Sequence, residues 1–169
     1  MSKDREATKI LKRAREQLRS EETGGFTIRK SGRVEQPTPV LGPKGDLHSW
    51  FVPVTVGDLL VGFFEFQPDL TLMRYSSFQR QEDSLEGCPG AESWIDTNAI
   101  QRRGETNARP GEKAREPFLT YDGAPSRLAW AVVLESPDGT TRTVHVAGNA
   151  VWEAPTATAM DSFGSRSSR

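Results

Sequence analysis

The sequence has little of what most metal sites and redox sites need. It contains one cysteine, Cys88, so an intramolecular disulfide and a cysteine-rich metal site are both excluded. Its two histidines are not accompanied by a dense carboxylate cluster, and no phosphate-binding loop, dinucleotide-binding glycine pattern or zinc-ligand spacing occurs. We therefore expect no cofactor and no metal, and we expect that the protein is not an enzyme.

An excess of charge of one sign is also absent. The chain has 22 basic and 23 acidic residues, which leaves a formal net charge of -1. Such a balance creates no overall field that would attract nucleic acid or an anionic membrane. No apolar run approaches the length of a membrane span, and the charged first residues lack an apolar signal region. These features predict a soluble, cytoplasmic protein that binds neither nucleic acid nor membrane.

An amphipathic helix is predicted over residues 3 to 19. Its other faces carry seven basic and three acidic residues, which fits either an anionic partner or, as we prefer, a solvated outer face. After the helix, residues 26 to 29 are predicted to form a short strand. The helix has one apolar stripe, made of Ala7, Ile10, Leu11, Ala14 and Leu18.

The densest apolar region, residues 50 to 78, is predicted to form three antiparallel strands. Apolar residues alternate from Trp50 to Val56, and Gly57-Asp58 is a tight-turn signal. Because Pro53 cannot donate a ladder hydrogen bond, the first strand is expected at an edge or a bulge.

A second series of strands is predicted between residues 118 and 152, separated by a Pro-Asp-Gly hairpin signal at residues 137 to 139. Its strand from residue 128 has Trp130, Val132 and Leu134 at the positions that follow Trp50, Val52 and Val54 by 80 residues. Two interpretations stay open. The halves are either duplicated units or two meanders that look alike because apolar residues alternate in both.

Together these patterns predict an α+β fold, in which one or two helices pack on a curved antiparallel sheet of about six to eight strands. If the halves are duplicated, they are two helix-plus-meander repeats that share one sheet. Four segments are predicted: an N-terminal helix and three-stranded meander (1–80), a polar linker with a short helix capped by Asp96 (81–117), a second meander that completes the sheet (118–154) and a disordered tail (155–169).

Four elements between residues 119 and 152 follow a characteristic order. They are Leu-Ala-Trp-Ala-Val at 128–132, Asp-Gly at 138–139, Val-His-Val at 144–146 and Ala-Val-Trp at 150–152. This order resembles the strand pattern of PepSY-type domains, although the usual Asp-x-x-Thr-Gly-Glu turn is replaced by Ala-Gly-Asn-Ala at 147–150. The resemblance implies a cystatin-like helix packed on an antiparallel sheet, and a role in regulating or inhibiting peptidases.

Two groups of residues are candidates for a site. Trp94 lies among polar loop residues, and with a sparse basic group it forms a candidate binding surface made of Trp94, Arg102, Arg103 and Arg109. Glutamates interleave with these arginines and no aromatic residues offer base stacking, so we expect a protein partner rather than nucleic acid. Asp46, His48 and Trp50, at the start of the first central strand, are the candidates for a pocket.

The sequence thus favours a non-enzymatic binding or regulatory module with a protein partner, either peptidase-regulating or complex-associated. Two alternatives stay open. One is a small cone-shaped enzyme or small-ligand binder with a pocket near His48. The other is a subunit of a larger assembly.

Overall fold

A computed structural model of the chain describes residues 3–20 and 25–154. The predicted disordered tail lies outside these residues. Within them the helices are α1 (Lys3–Leu18), α2 (Phe26–Ser31), α3 (Glu92–Ile95) and α4 (Thr97–Glu105). The strands are β1 (Arg33–Val34), β2 (Thr38–Leu41), β3 (Leu47–Val56), β4 (Leu59–Phe66), β5 (Leu72–Ser77), β6 (Lys113–Ala114), β7 (Phe118–Tyr121), β8 (Leu128–Glu135), β9 (Thr141–Ala147) and β10 (Ala150–Glu153).

The ten strands of the described ranges form one open sheet. Its main path runs β10-β9-β8-β7-β2-β3-β4-β5, and the two-residue strands β1 and β6 pair with β3 and β8 beside this path. All pairings are antiparallel except the central one between β2 and β7. A mixed fold of helices and a large, mostly antiparallel sheet is therefore confirmed, but the sheet is uncurled and has more strands than predicted.

The helices cover opposite faces of the sheet. In β3, Trp50 and Val52 belong to a core cluster with Ile10 of α1, while Phe51 between them belongs to a second cluster with Ile100 of α4. Because successive strand residues point to opposite faces, α1 and α4 lie on different sides. With a helix layer on each side, the sheet does not wrap around either one, which is why the predicted curvature is absent.

The two halves pair their strands with a constant offset. Thr38 and Phe118 begin equivalent strands 80 residues apart, and their partners are also 80 residues apart. The same offset holds in the next hairpin and in the short outer strands. The matched pairs are Thr38–Phe51 and Phe118–Ala131, Trp50–Phe66 and Trp130–Val146, and Val34–Val54 and Ala114–Leu134.

Two local predictions are corrected by the structure. Residues 26 to 29, predicted as a strand, belong to α2, whose Ile28 is fully buried in the cluster under α1. Pro53 does not lie at an edge, because β3 pairs with strands on both sides. Its carbonyl accepts a hydrogen bond from the Glu35 backbone N–H at 2.9 Å, so its nitrogen points to the gap between β1 and β2, where no ladder partner is needed.

The segment predicted as a linker, 81–117, contains α3, α4 and β6. The predicted cap is confirmed, since the Asp96 side chain accepts hydrogen bonds from the backbone N–H groups of Asn98 and Ala99 at the start of α4. Helix α4 packs against β8 and β9, and β6 pairs with β8. This segment therefore supplies the helix layer of the second half of the sheet.

Candidate functional site

An open groove of about 800 Å³ lies beside the turn between β3 and β4, with β1 on one side and α3 on the other. Three separate segments of the chain contribute to it. It is lined by Arg33, Glu35, Thr55, Gly57, Asp58, Leu59, Gly90, Ala91, Glu92, Ile95 and Asp96. We refer to this feature as the β1–α3 groove.

Backbone hydrogen bonds fix the α3 wall of the groove to the sheet. The Leu60 N–H donates to the Pro89 carbonyl at 2.9 Å, and the Ala91 N–H donates to the Asp58 carbonyl at 2.8 Å. Gly57 takes a positive φ of 60° in the turn, a conformation that glycine adopts without a steric cost. The groove is therefore held by main-chain contacts rather than by side chains alone.

Two of the four carboxylates in the groove are already engaged. Glu35 accepts a hydrogen bond from the Thr55 hydroxyl at 2.8 Å, and Asp96 caps α4. The carboxylates of Asp58 and Glu92 are exposed and have no hydrogen-bond or ion-pair partner within residues 3–20 and 25–154. Ile95 adds an apolar side chain that is 36% exposed. The groove thus presents apolar surface together with two uncommitted negative charges.

The predicted binding surface is divided by the structure. Trp94 is half-buried between the rings of Phe51 and Phe78, at 6.2 Å from each, and its carbonyl accepts a hydrogen bond from Trp130 Nε1 at 3.1 Å. Trp94 therefore anchors α3 to both halves of the sheet.

The three predicted arginines differ in their surroundings. Arg103 donates to the Gly148 carbonyl and ties α4 to the turn between β9 and β10. Arg102 and Arg109 are exposed, and the backbone N–H of Arg109 donates to Glu112. The four predicted residues are thus near one another along the chain, but two of them are engaged within the fold.

The predicted pocket residues have three different environments. His48 packs edge-on against Tyr121, with ring centroids 5.1 Å apart, and its Nδ1 lies 3.0 Å from the Ser49 hydroxyl. Trp50 is buried in the cluster under α1. Asp46 is exposed in the turn between β2 and β3. The side chains of Asp46 and Trp50 are therefore directed away from the contacts that His48 makes.

A buried polar network beside His48 was missed by sequence reasoning. Glu65, only 1% exposed, accepts a hydrogen bond from the Ser49 hydroxyl at 3.3 Å and from Arg74 Nε at 2.8 Å. Its one signal in the sequence is a single acid within the apolar run of β4. Because Ser49 is fully buried and gives its proton to an acid already paired with arginine, its hydroxyl is not placed to act as a nucleophile.

The second histidine is also part of a buried polar group. His145 is 7% exposed, and its Nδ1, buried without a hydrogen-bond partner, lies 3.8 Å from Asp122 Oδ1. The Asp122 carboxylate instead accepts a hydrogen bond from Trp152 Nε1 at 3.1 Å. Burial lowers the pKa of His145, and the opposite influence of Asp122 is smaller. The imidazole is therefore neutral at pH 7.

This environment makes stability depend on pH. Since the pKa of His145 is lower in the folded chain than in the unfolded chain, the unfolded state binds the proton more readily. Stability is then fully retained above the unfolded value of about 6.5 and falls as the pH decreases toward the folded value. We expect the urea midpoint to decrease less between pH 7.5 and pH 5 in His145→Gln than in the wild type. His48→Gln is the control, and an equal flattening in that variant would contradict the assignment.

Of the helices within the described ranges, none has both the length and the apolar character needed to cross a membrane. The same residues contain no group of three or more histidine, cysteine or acidic side chains arranged to hold a metal ion. No family model matches the chain, and no curated protein or solved structure is significantly similar to it.

Proposed function

We propose that the protein is a non-enzymatic binding module that takes a segment of a protein partner in the β1–α3 groove. The observation that carries this proposal is the pairing of exposed apolar surface with uncommitted carboxylates in one groove held by backbone hydrogen bonds. Protein interfaces have this anatomy, with an apolar centre and a polar, solvent-accessible rim. Here Leu59 and Ile95 supply the apolar part, and Asp58, Glu92 and Arg33 supply the rim.

The charges of the groove define the partner's chemistry. Asp58 and Glu92 are uncommitted, while Arg33 is the single basic residue in the lining. A partner segment with an apolar side chain flanked by lysine or arginine complements this arrangement. The resemblance to PepSY-type domains makes a peptidase, or a complex that contains one, the first partner to test.

The duplication is also part of the proposal. We propose that the halves are two helix-plus-meander repeats that share one sheet. The constant 80-residue offset through three strand pairings supports this, because alternation of apolar residues alone does not require identical registers. The parallel pairing of the equivalent strands β2 and β7 places a pseudo-twofold axis along the strands, which accounts for helices on opposite faces. The repeated elements then form a scaffold, and recognition belongs to the irregular segment that includes α3.

Reversal of the groove's charges provides the test. Asp58→Lys combined with Glu92→Lys is expected to weaken retention of a partner captured from the native host by about tenfold or more, because attractive rim pairs become repulsive. The control Glu105→Lys/Glu116→Lys makes the same change in net charge at exposed positions outside the groove lining. Quantitative capture with each variant as bait, followed by titration of the partner, measures the effect. Equal retention by the two double variants would show that the groove does not bind the partner.

A further inference from the structure

Two clefts of similar size lie beside helix α1. One, of about 380 Å³, is lined by Lys9, Lys12, Arg13, Glu16, Asp69 and Leu70. The other, of about 390 Å³, is lined by Arg15, Leu18, Arg19, Arg29, Gly32, Arg33 and Val34. The first mixes three basic residues with two acidic ones, whereas the lining of the second carries four arginines and no acid. We refer to the second as the arginine cleft.

The arginines of this cleft come from three elements. Arg15 and Arg19 are four residues apart, so they lie on the same side of the α1 helix end. Arg29 belongs to α2, and Arg33 belongs to β1. Favourable interaction with the negative end of the helix dipole accounts for a cation near the end of α1, but it does not account for two more cations from the facing elements.

The cleft therefore concentrates positive charge in a chain whose net charge is close to zero. Within the described ranges, the side chains of Arg15, Arg19 and Arg33 form no ion pair. Four like charges around one cleft repel one another, and a multivalent anion bound between them relieves that repulsion.

We propose that the arginine cleft binds the phosphate groups of a small phosphorylated molecule. The planar guanidinium group offers a fork of N–H donors that matches phosphate oxygens. The volume falls within the range of small-molecule sites, and Leu18 and Val34 provide apolar wall for an organic part of the ligand. This site is separate from the proposed function of the β1–α3 groove, so either proposal can fail without the other.

Calorimetric titration with inorganic pyrophosphate, using the full chain, tests the site. We expect saturable binding of one pyrophosphate per chain, tighter than binding of orthophosphate. Arg15→Gln/Arg19→Gln is expected to weaken binding about tenfold, since each exposed charge pair contributes a few-fold. The matched control, Lys12→Gln/Arg13→Gln, removes the same charge from the same helix at the other cleft, and its affinity should stay within about twofold of wild type. Melting temperatures without ligand verify that both variants are folded.

Two results would overturn the proposal. Equal weakening in the two double variants would mean diffuse attraction to a basic helix rather than a site. Absence of saturable binding to the wild type would also overturn it, including the case in which only Glu21→Gln/Glu22→Gln binds pyrophosphate. That last result would assign the cleft to the chain's own glutamates at residues 21 and 22, which lie outside the described residues.

Discussion

Replacement of Gly104 by alanine is expected to destabilise the protein by about 2 kcal/mol, even though alanine is the better helix former by about 1 kcal/mol. Gly104 is buried in α4, where the helix crosses β8. A Cβ at this position would lie 2.7 Å from each of Val132 Cβ, Cγ1 and Cγ2. A β-branched side chain in a packed strand has little rotamer freedom, so α4 would have to move away from the sheet.

Chemical denaturation of a small set of variants tests this expectation. Arg102→Ala, on the exposed side of the same helix, should change the free energy of unfolding by no more than about 0.5 kcal/mol. Combining Gly104→Ala with Val132→Ala should cost less than the sum of the single changes, because the smaller residue removes the clash. If Gly104→Ala is as stable as wild type, helix α4 does not approach β8 as closely as described.

Loss of the arginine that pairs with Glu65 is expected to cost still more. Arg74→Met should destabilise the protein by about 3 kcal/mol, because it leaves a buried carboxylate without its charged partner. Glu65 is 1% exposed, and its remaining hydrogen bond comes from the neutral Ser49 hydroxyl. The alkyl part of methionine replaces much of the packing of the arginine side chain, so the effect reports mainly on the charge.

A double variant distinguishes charge from packing at this position. Glu65→Leu/Arg74→Met should be closer to wild type than Arg74→Met alone, since no buried charge is left unpaired. Arg127→Met is the control, because its ion pair with Asp122 spans 3.7 Å and the arginine side chain is 68% exposed. Its effect should be close to zero. Equal destabilisation by Arg74→Met and Arg127→Met would show that Glu65 does not depend on its arginine.

Much of the second meander was predictable, because its signals are local. The strands at 118–121, 128–135 and 141–147 have the predicted bounds, since period-two alternation ends at turn residues such as Asp138-Gly139. Helix α2 was mispredicted as a strand because a six-residue helix has too few apolar positions to separate the two periods. Burial of Ile28 under α1 determines its conformation instead.

The layer arrangement and the groove depend on contacts between distant segments. In β3, Trp50 and Phe51 are both apolar and buried, so the strand alone does not indicate which helices cover which face. The groove combines residues 33–35, 55–59 and 90–96, each of which is typical of a turn or a short polar connection when considered alone. Trp94, the predicted binding residue in that region, packs inward, and its neighbour Ile95 lines the groove.

Photo-crosslinking from the groove tests the central claim, that a protein partner binds between β1 and α3, most directly. Benzoylphenylalanine is introduced at Ile95, which is 36% exposed, or at Leu47, which is equally accessible at 37% but does not line the groove. On irradiation in the native host, we expect one discrete crosslinked partner from position 95, absent when Asp58→Lys/Glu92→Lys is also present. The same crosslinked partner from position 47, or none from position 95, would contradict the claim.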